Sequence, residues 1–463
     1  MVCCFFNVTS FFVLFYSLVG TSMQRAILLA LIVAAVAVST ASAAALPMLT
    51  AEQLQLFTAP FFSTRKPTGG LDMPCDTAGG VSETVPTSVH MLRPGDIKVV
   101  AALGDSLTAA YAAMDPSIDG MLYEYRNISW SVGGGGSLAE QITLPNILKE
   151  YNPDVTGFST SVNTLFQIPP TAGLNVAVSG AIATGLPAQA RSLVNKTKSD
   201  PTIDWEKDWK VVTLFIGGND ACALCLNETL HSPQFIRDNI EAALDILLEG
   251  LPRTLVNLVE LLDVTQLFEV HDDMCDALHQ QLCPCLGGVN DTTIRANISA
   301  TIVEYQRAVA ELAQLPKYNS HENFTVVDQP FFSKTKIPLL ADNVTPDRSY
   351  FAVDCFHFAS IAHEASGLAL WNSMVEPVGH KRTDWKIGEP LECPSDAHNR
   401  PFFFTNYNSY LYLKYGSQFG PGSDSDDHAV AIGVGVSVGV VALLVVIVLF
   451  VRWYNRRHSY QRL

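Results

Sequence analysis

Short apolar runs alternate with amphipathic stretches along the middle of this chain. Five runs are strand-like: 97–103, 174–178, 211–216, 254–261 and 324–327. They are apolar at consecutive positions, which suits strands buried on both faces. Between them, 138–150, 186–194, 233–249, 301–315 and 361–375 carry apolar residues at helical spacing, and Thr108 onwards also reads as helix. Ser232-Pro233 is a helix start, a hydroxyl cap before a first-turn proline. Strands alternating with helices predict an α/β domain on a mostly parallel sheet covered on both faces. The segment 275–288, rich in Cys, Asp and Gly, reads as a stapled surface insertion.

Outside this region the pattern changes. Residues 430–451 carry no charge, and their number matches a bilayer core of about 30 Å at ~1.5 Å per residue. Arg452, Arg456, Arg457 and Arg462 follow, marking the cytoplasmic side. At the other end, Met23-Gln24-Arg25, an apolar run over 26–38 and Ser39-Thr40-Ala41-Ser42-Ala43 form a secretory signal with cleavage after Ala43. It reads better from Met23 than from Met1. The expected order is a signal region over 1–43, an extracellular domain over 44–419 with its core at about 85–395, and a linker over 420–429. A transmembrane helix over 430–451 and a basic tail over 452–463 complete it. The linker begins Gly420-Pro421-Gly422-Ser423, a composition that cannot pack a core. This is a single-pass type I protein of the plasma membrane, its folded domain outside the cell.

Two features agree with that compartment. Asn-x-Ser/Thr sequons stand at Asn127, Asn195, Asn227, Asn290, Asn297, Asn323 and Asn343. Apart from Cys3 and Cys4, the cysteines are Cys75, Cys222, Cys225, Cys275, Cys283, Cys285, Cys355 and Cys393. Outside the cell they read as disulfide partners rather than metal ligands, although Cys222-x-x-Cys225 and Cys283-Pro-Cys285 have zinc-like or redox-like spacing. The sequence leaves about 105 pairings open. The net charge of −16, borne by the ectodomain because the tail is basic, disfavours nucleic acid and anionic lipid as electrostatic partners.

The candidate chemistry lies where strands end. The run Val99-Val100-Ala101-Ala102-Leu103 enters Gly104-Asp105-Ser106-Leu107, which lifts the Ser106 hydroxyl to the carboxyl edge of a sheet. Gly217-Gly218-Asn219-Asp220 follows the run 211–216 and offers the Asn219 amide to an oxyanion. Gly180 follows the run 174–178 and can supply a backbone N–H. Asp354 and His357, three apart, supply the carboxylate and imidazole that a serine nucleophile needs. The competing His363 reads as a surface helix residue. Each signal has a bland alternative, a cap, a turn or a core histidine; it is the set, in this order, that points to a serine hydrolase.

The same blocks resemble the GDSL, or SGNH, hydrolases, and the likeness covers about 85–395. It is closest to their membrane-associated phospholipase B branch, through Trp130-Ser131-Val132-Gly133-Gly134, Asp208 to Asp220, Leu282-Cys283-Pro284-Cys285, Gln329-Pro330-Phe331-Phe332 and Asp354-Cys355-Phe356-His357-Phe358. The resemblance implies a flavodoxin-like three-layer α/β/α sandwich with a central five-stranded sheet. It implies hydrolysis of acyl esters in glycerophospholipids and lysophospholipids, with no metal or other cofactor. Ser106 would be the nucleophile, His357 the base, Asp354 its orienter, and Ser106, Gly180 and Asn219 the oxyanion donors. Other esters (acetylated carbohydrate, retinyl or neutral lipid) and a catalytically silent surface receptor are the alternatives. Two departures stand out: vertebrate members carry this domain in tandem, and Gly133–Gly136 is an unbroken glycine run where the family usually has a polar residue.

Overall fold

The computed structural model describes residues 69–165, 169–286, 292–394 and 402–415. The predicted signal region, linker, membrane span, basic tail and Asn290 lie outside the described residues. Among the described residues, no helix is long and apolar enough to cross a membrane. The chain divides into two compact units, Met1–Ser409 and Tyr410–Leu463. The sheet and the candidate site belong to the first; of the second, only the end of helix Asn406–Tyr415 is described.

Four parallel strands form the central sheet: β1 (Ile97–Gly104), β4 (Trp209–Phe215), β5 (Thr254–Val259) and β6 (Phe324–Gln329), in the order β1-β4-β5-β6. The two-residue strands β2 (Tyr123–Glu124) and β3 (Asn163–Thr164) pair antiparallel elsewhere. Every residue of β4 and β5 is buried, a condition reached when helices cover both faces of a sheet. One helix group is α3 (Leu186–Ser199), α5 (Pro233–Gly250) and α7 (Thr292–Ala313), packed side by side, with α3 against β1 and α7 against β6. The other is α2 (Leu144–Tyr151) against α8 (Ser360–Met374), where Tyr151 stacks on Trp371. The expected α/β architecture with a mostly parallel sheet is therefore present.

Several expectations need correction. The regular sheet has four strands, not five. The run 174–178 does lie parallel beside β1, with Val176 N–H and Val178 N–H donating to the carbonyls of Ala102 and Gly104. It is not a regular strand, and its outer edge meets the Arg126 side chain rather than another strand. The helix expected from Thr108 is a single turn, α1 (Ser106–Ala109), stopped by Ala110 in the left-handed region (φ +53°). Helix α2 begins six residues later than the apolar pattern, where Thr143 caps it and Pro145 enters the first turn. The cysteine-rich insertion holds a helix, α6 (Asp273–Leu282), and Cys275, Cys283 and Cys285 are buried in the core rather than on the surface. The Ser232 cap is as expected, with Phe235 N–H donating to Ser232 Oγ at 3.3 Å.

The eight cysteines among the described residues all pair, as Cys75–Cys393, Cys222–Cys283, Cys225–Cys285 and Cys275–Cys355. Of the sequons, Asn195, Asn227, Asn297, Asn323 and Asn343 are exposed, while Asn127 is half-buried.

Candidate active site

The turn that carries Ser106 is built by close approach. Gly104 ends β1, and a Cβ there would lie 2.5 Å from the Phe215 carbonyl oxygen of the neighbouring strand, so only glycine fits. Gln189 of α3 braces the same residue by accepting from Gly104 N–H and donating to its carbonyl, each at 2.9 Å. Asp105 caps α1 by accepting from Leu107 N–H at 3.0 Å, which leaves Ser106 as the first helical residue, its N–H without an intrahelical partner. From the core, Trp130 Nε1–H donates to the Leu107 carbonyl at 3.2 Å while its ring meets Phe215, Phe331 and Phe332 edge-on. The aromatic core thus fixes the turn from below.

Ser106 and His357 stand 251 positions apart, yet Ser106 Oγ lies 2.7 Å from His357 Nε2. His357 Nδ1 lies 2.5 Å from Asp354 Oδ2. A carboxylate can only accept, so Nδ1 carries the proton and Nε2 is free to accept from the hydroxyl. The other Asp354 oxygen accepts from the N–H groups of Phe356 (3.1 Å) and His357 (2.9 Å). Burial works to raise the Asp354 carboxyl, but the imidazole and these hydrogen bonds outweigh it and hold it below the ordinary carboxylate range. The Tyr111 ring packs edge-on against the imidazole at 4.7 Å between centroids.

The loop carrying Asp354 and His357 is braced from outside. Cys355 sits in the left-handed region at φ +60°, a conformation an L residue adopts only under constraint. Its sulfur is bonded to Cys275 of α6, and its carbonyl accepts from His279 Nε2, one helical turn further on, at 3.0 Å. Replacing both Cys275 and Cys355 by alanine should therefore loosen the imidazole. We expect ester turnover to fall about 10–100-fold, since a displacement of ~1 Å can cost ~10² in rate. Thermal unfolding should show a loss of about 2–5 kcal/mol. Turnover and unfolding measured on the same preparation separate the two effects.

Asn219 and Asp220 open α4 (Gly218–Ala223), just beyond β4. Asn219 Nδ2 donates to the Ala181 carbonyl at 2.9 Å, leaving its second N–H available. Asp220, fully buried, accepts from Ala183 N–H and from His231 Nδ1, both at 3.0 Å. These bonds tie the Asn219 block to the loop after Gly180. Gly180 adopts φ +77° with nothing within 4 Å of a built Cβ, so its conformation, not its space, demands glycine. Burial pushes the Asp105 carboxyl up to about 7, and neighbouring Asp220 adds to the rise.

Ser106, Asp105 and Asn219 all line one cleft, whose space of about 750 Å³ includes part of the open solvent at its mouth. Its other walls are largely apolar, among them Leu262, Val264, Leu267, Ile337, Phe351 and Trp385. The structure joins Ser106, His357 and Asp354 in one hydrogen-bonded row, sets Asn219 in the same cavity wall, and places Gly180 one residue from the carbonyl that Asn219 holds. His363 is not a surface residue: it is fully buried in α8, and burial drives its imidazole down to about 3. Sequence reasoning missed Gln189, His231, His279 and the pair Glu124 and Arg126, which reach the site's loops from distant points of the chain with no local motif. No group of three or more His, Cys, Asp or Glu side chains able to hold a metal occurs among the described residues.

Comparison with known proteins gives two findings. The family model for GDSL-like lipase/acylhydrolase matches residues 100–370. Among curated proteins, the chain is 45% identical over 341 residues to the mouse (Mus musculus) protein named phospholipase B1, membrane-associated, and 44% identical over 340 residues to the human (Homo sapiens) protein of the same name. Each match covers 71% of this chain but 23% of the relative, so the chain spans about a quarter of the length of the curated relatives it matches.

Proposed function

This chain belongs to the GDSL-like lipase/acylhydrolase family, and on that premise we propose that it hydrolyses acyl esters of glycerophospholipids and lysophospholipids through an acyl-enzyme on Ser106. The observation that carries the reading is the row Asp354–His357–Ser106 opening into a largely apolar cavity. His357 Nε2 takes the Ser106 proton as Oγ attacks the ester carbonyl. The oxyanion is held by the N–H groups of Ser106 and Gly180 and the Asn219 amide, and the positive end of α1 adds to their field. The tetrahedral species collapses, the alcohol leaves with the proton from His357, and water repeats the cycle to free the fatty acid. The acyl chain occupies the cavity between Leu262 and Trp385.

Anchorage by the span at 430–451, with the catalytic domain outside the cell over 44–419, completes the reading. Four disulfides and five exposed sequons support that compartment. The direct test offers the full chain in detergent a panel of phosphatidylcholine, lysophosphatidylcholine, triacylglycerol, retinyl ester and acetylated xylan. We expect fatty acid to be released from the first two at the highest kcat/KM. Release of acetate alone, or of fatty acid only from the neutral lipids, overturns the substrate assignment; no release from any member overturns the enzymatic one.

A further inference from the structure

The loop that carries Gly180 has an edge without a strand beside it. On its inner side, residues 174–178 pair with β1. On the outer side, the carbonyls of Asn175 and Ala177 face away from the sheet and accept from Arg126 Nη1 (3.1 Å) and Nη2 (2.9 Å). Arg126 is completely buried, and its Nε donates to Glu124 Oε2 at 2.8 Å. The other Glu124 oxygen, also buried, accepts from Ser179 Oγ at 2.6 Å. One guanidinium and one carboxylate thus stand in for the missing strand, and the last residue they hold is the one before Gly180.

A buried ion pair is weak evidence for stability, because desolvation offsets most of the Coulomb gain. This pair satisfies two backbone carbonyls and ends on a hydroxyl at the loop tip. From there on the chain is tied to the other side of the site, through Ala181 to Asn219 and through Ala183 to Asp220. Resting on the reading of Gly180 as an oxyanion donor, we infer that Glu124, fixed by Arg126 and acting through Ser179, is a positioning residue that sets where the Gly180 N–H points during acyl transfer. Glu124 does not line the cleft; Tyr111, which forms an isolated antiparallel bridge with it, also packs against His357.

Ser179 is the place to test this, because it is half-buried and its hydroxyl can be removed without stranding a charge. A lost oxyanion donor costs about 10²–10³ in rate, and a loosened one should cost less. With a p-nitrophenyl acyl ester and the full chain, Ser179→Ala should lower kcat about 10-fold and leave KM within about twofold. The rate of Ser106 phosphonylation by a fluorophosphonate should fall in parallel, since its phosphoryl oxygen uses the same donors. Ser179→Thr, which keeps the hydroxyl, should restore most of kcat. Glu124→Gln should lower kcat further, scored per active site by titration so that loss of folded protein is not counted as loss of rate. An unchanged kcat in Ser179→Ala, or a loss in KM or thermal stability alone, overturns the positioning role. A wild-type chain that neither turns over the ester nor labels at Ser106 instead overturns the hydrolase reading on which it rests.

Discussion

Replacing Ser106 by alanine should lower ester turnover by about 10⁵–10⁶-fold, the size of effect that follows loss of a serine nucleophile working through a histidine. The fold should be untouched. The change removes one oxygen whose hydrogen bond is to His357, while the cap of α1 is made by Asp105 and the turn is braced by Gln189 and Trp130. Melting temperature should therefore change by no more than a few degrees, since the loss of one hydrogen bond is worth about 1 kcal/mol. Fluorophosphonate labelling should vanish with the activity. Residual hydrolysis is expected at about 10³–10⁴ over the uncatalysed rate, from the oxyanion donors and the bound geometry alone. Turnover near the wild-type rate in purified Ser106→Ala would remove the nucleophile from the scheme.

What could be read in advance follows from how local each signal is. Strand β1 and the Gly104-Asp105-Ser106 turn are neighbours in sequence, so an apolar run and a tight turn announce them together. Asp354 and His357 are three apart, and their contact is a property of one loop. The Ser106–His357 contact spans 251 positions and was inferable only because open α/β sheets gather loops at one edge. The supports behind that edge left no such trace. Gln189 is an ordinary polar position on α3, and His231 reaches Asp220 from a loop whose spacing says nothing about charge. The run over 174–178 takes the fifth place beside β1, but its outer carbonyls are held by the Arg126 guanidinium, a contact from 49 and 51 positions away that an apolar pattern does not record. His363 reads as a surface residue because α8 mixes polar with apolar positions, yet the helix is buried nearly all round, so its polar side chains mark no solvent face. The Cys275–Cys355 pairing depends on α6 lying against the His357 loop, a contact between segments 80 residues apart.

Asp354→Asn should lower kcat by about 10⁴-fold, more than any other change that leaves the nucleophile and base in place. The reason lies in which atoms can donate. In the native protein one Asp354 oxygen accepts two backbone N–H groups and the other accepts His357 Nδ1–H. An asparagine keeps its carbonyl on the two backbone donors and turns its amide toward Nδ1. A donor there forces Nδ1 to accept, which moves the ring proton to Nε2, and a protonated Nε2 cannot take the Ser106 proton. The arrangement of heavy atoms is preserved, so KM should change little while the rate of fluorophosphonate labelling falls with kcat. Stability gives a second readout. The Asp354 carboxyl titrates below its ordinary value of 3.8 in the folded protein. Its ionised form therefore contributes fully above that pH, and the contribution is lost as pH falls through the depressed folded value. The difference in melting temperature between wild type and Asp354→Asn should accordingly be constant near neutrality and shrink on acidification below 3.8. A wild-type kcat in Asp354→Asn, or a stability difference that grows as the pH is lowered, would show that the carboxylate neither orients nor charges this imidazole.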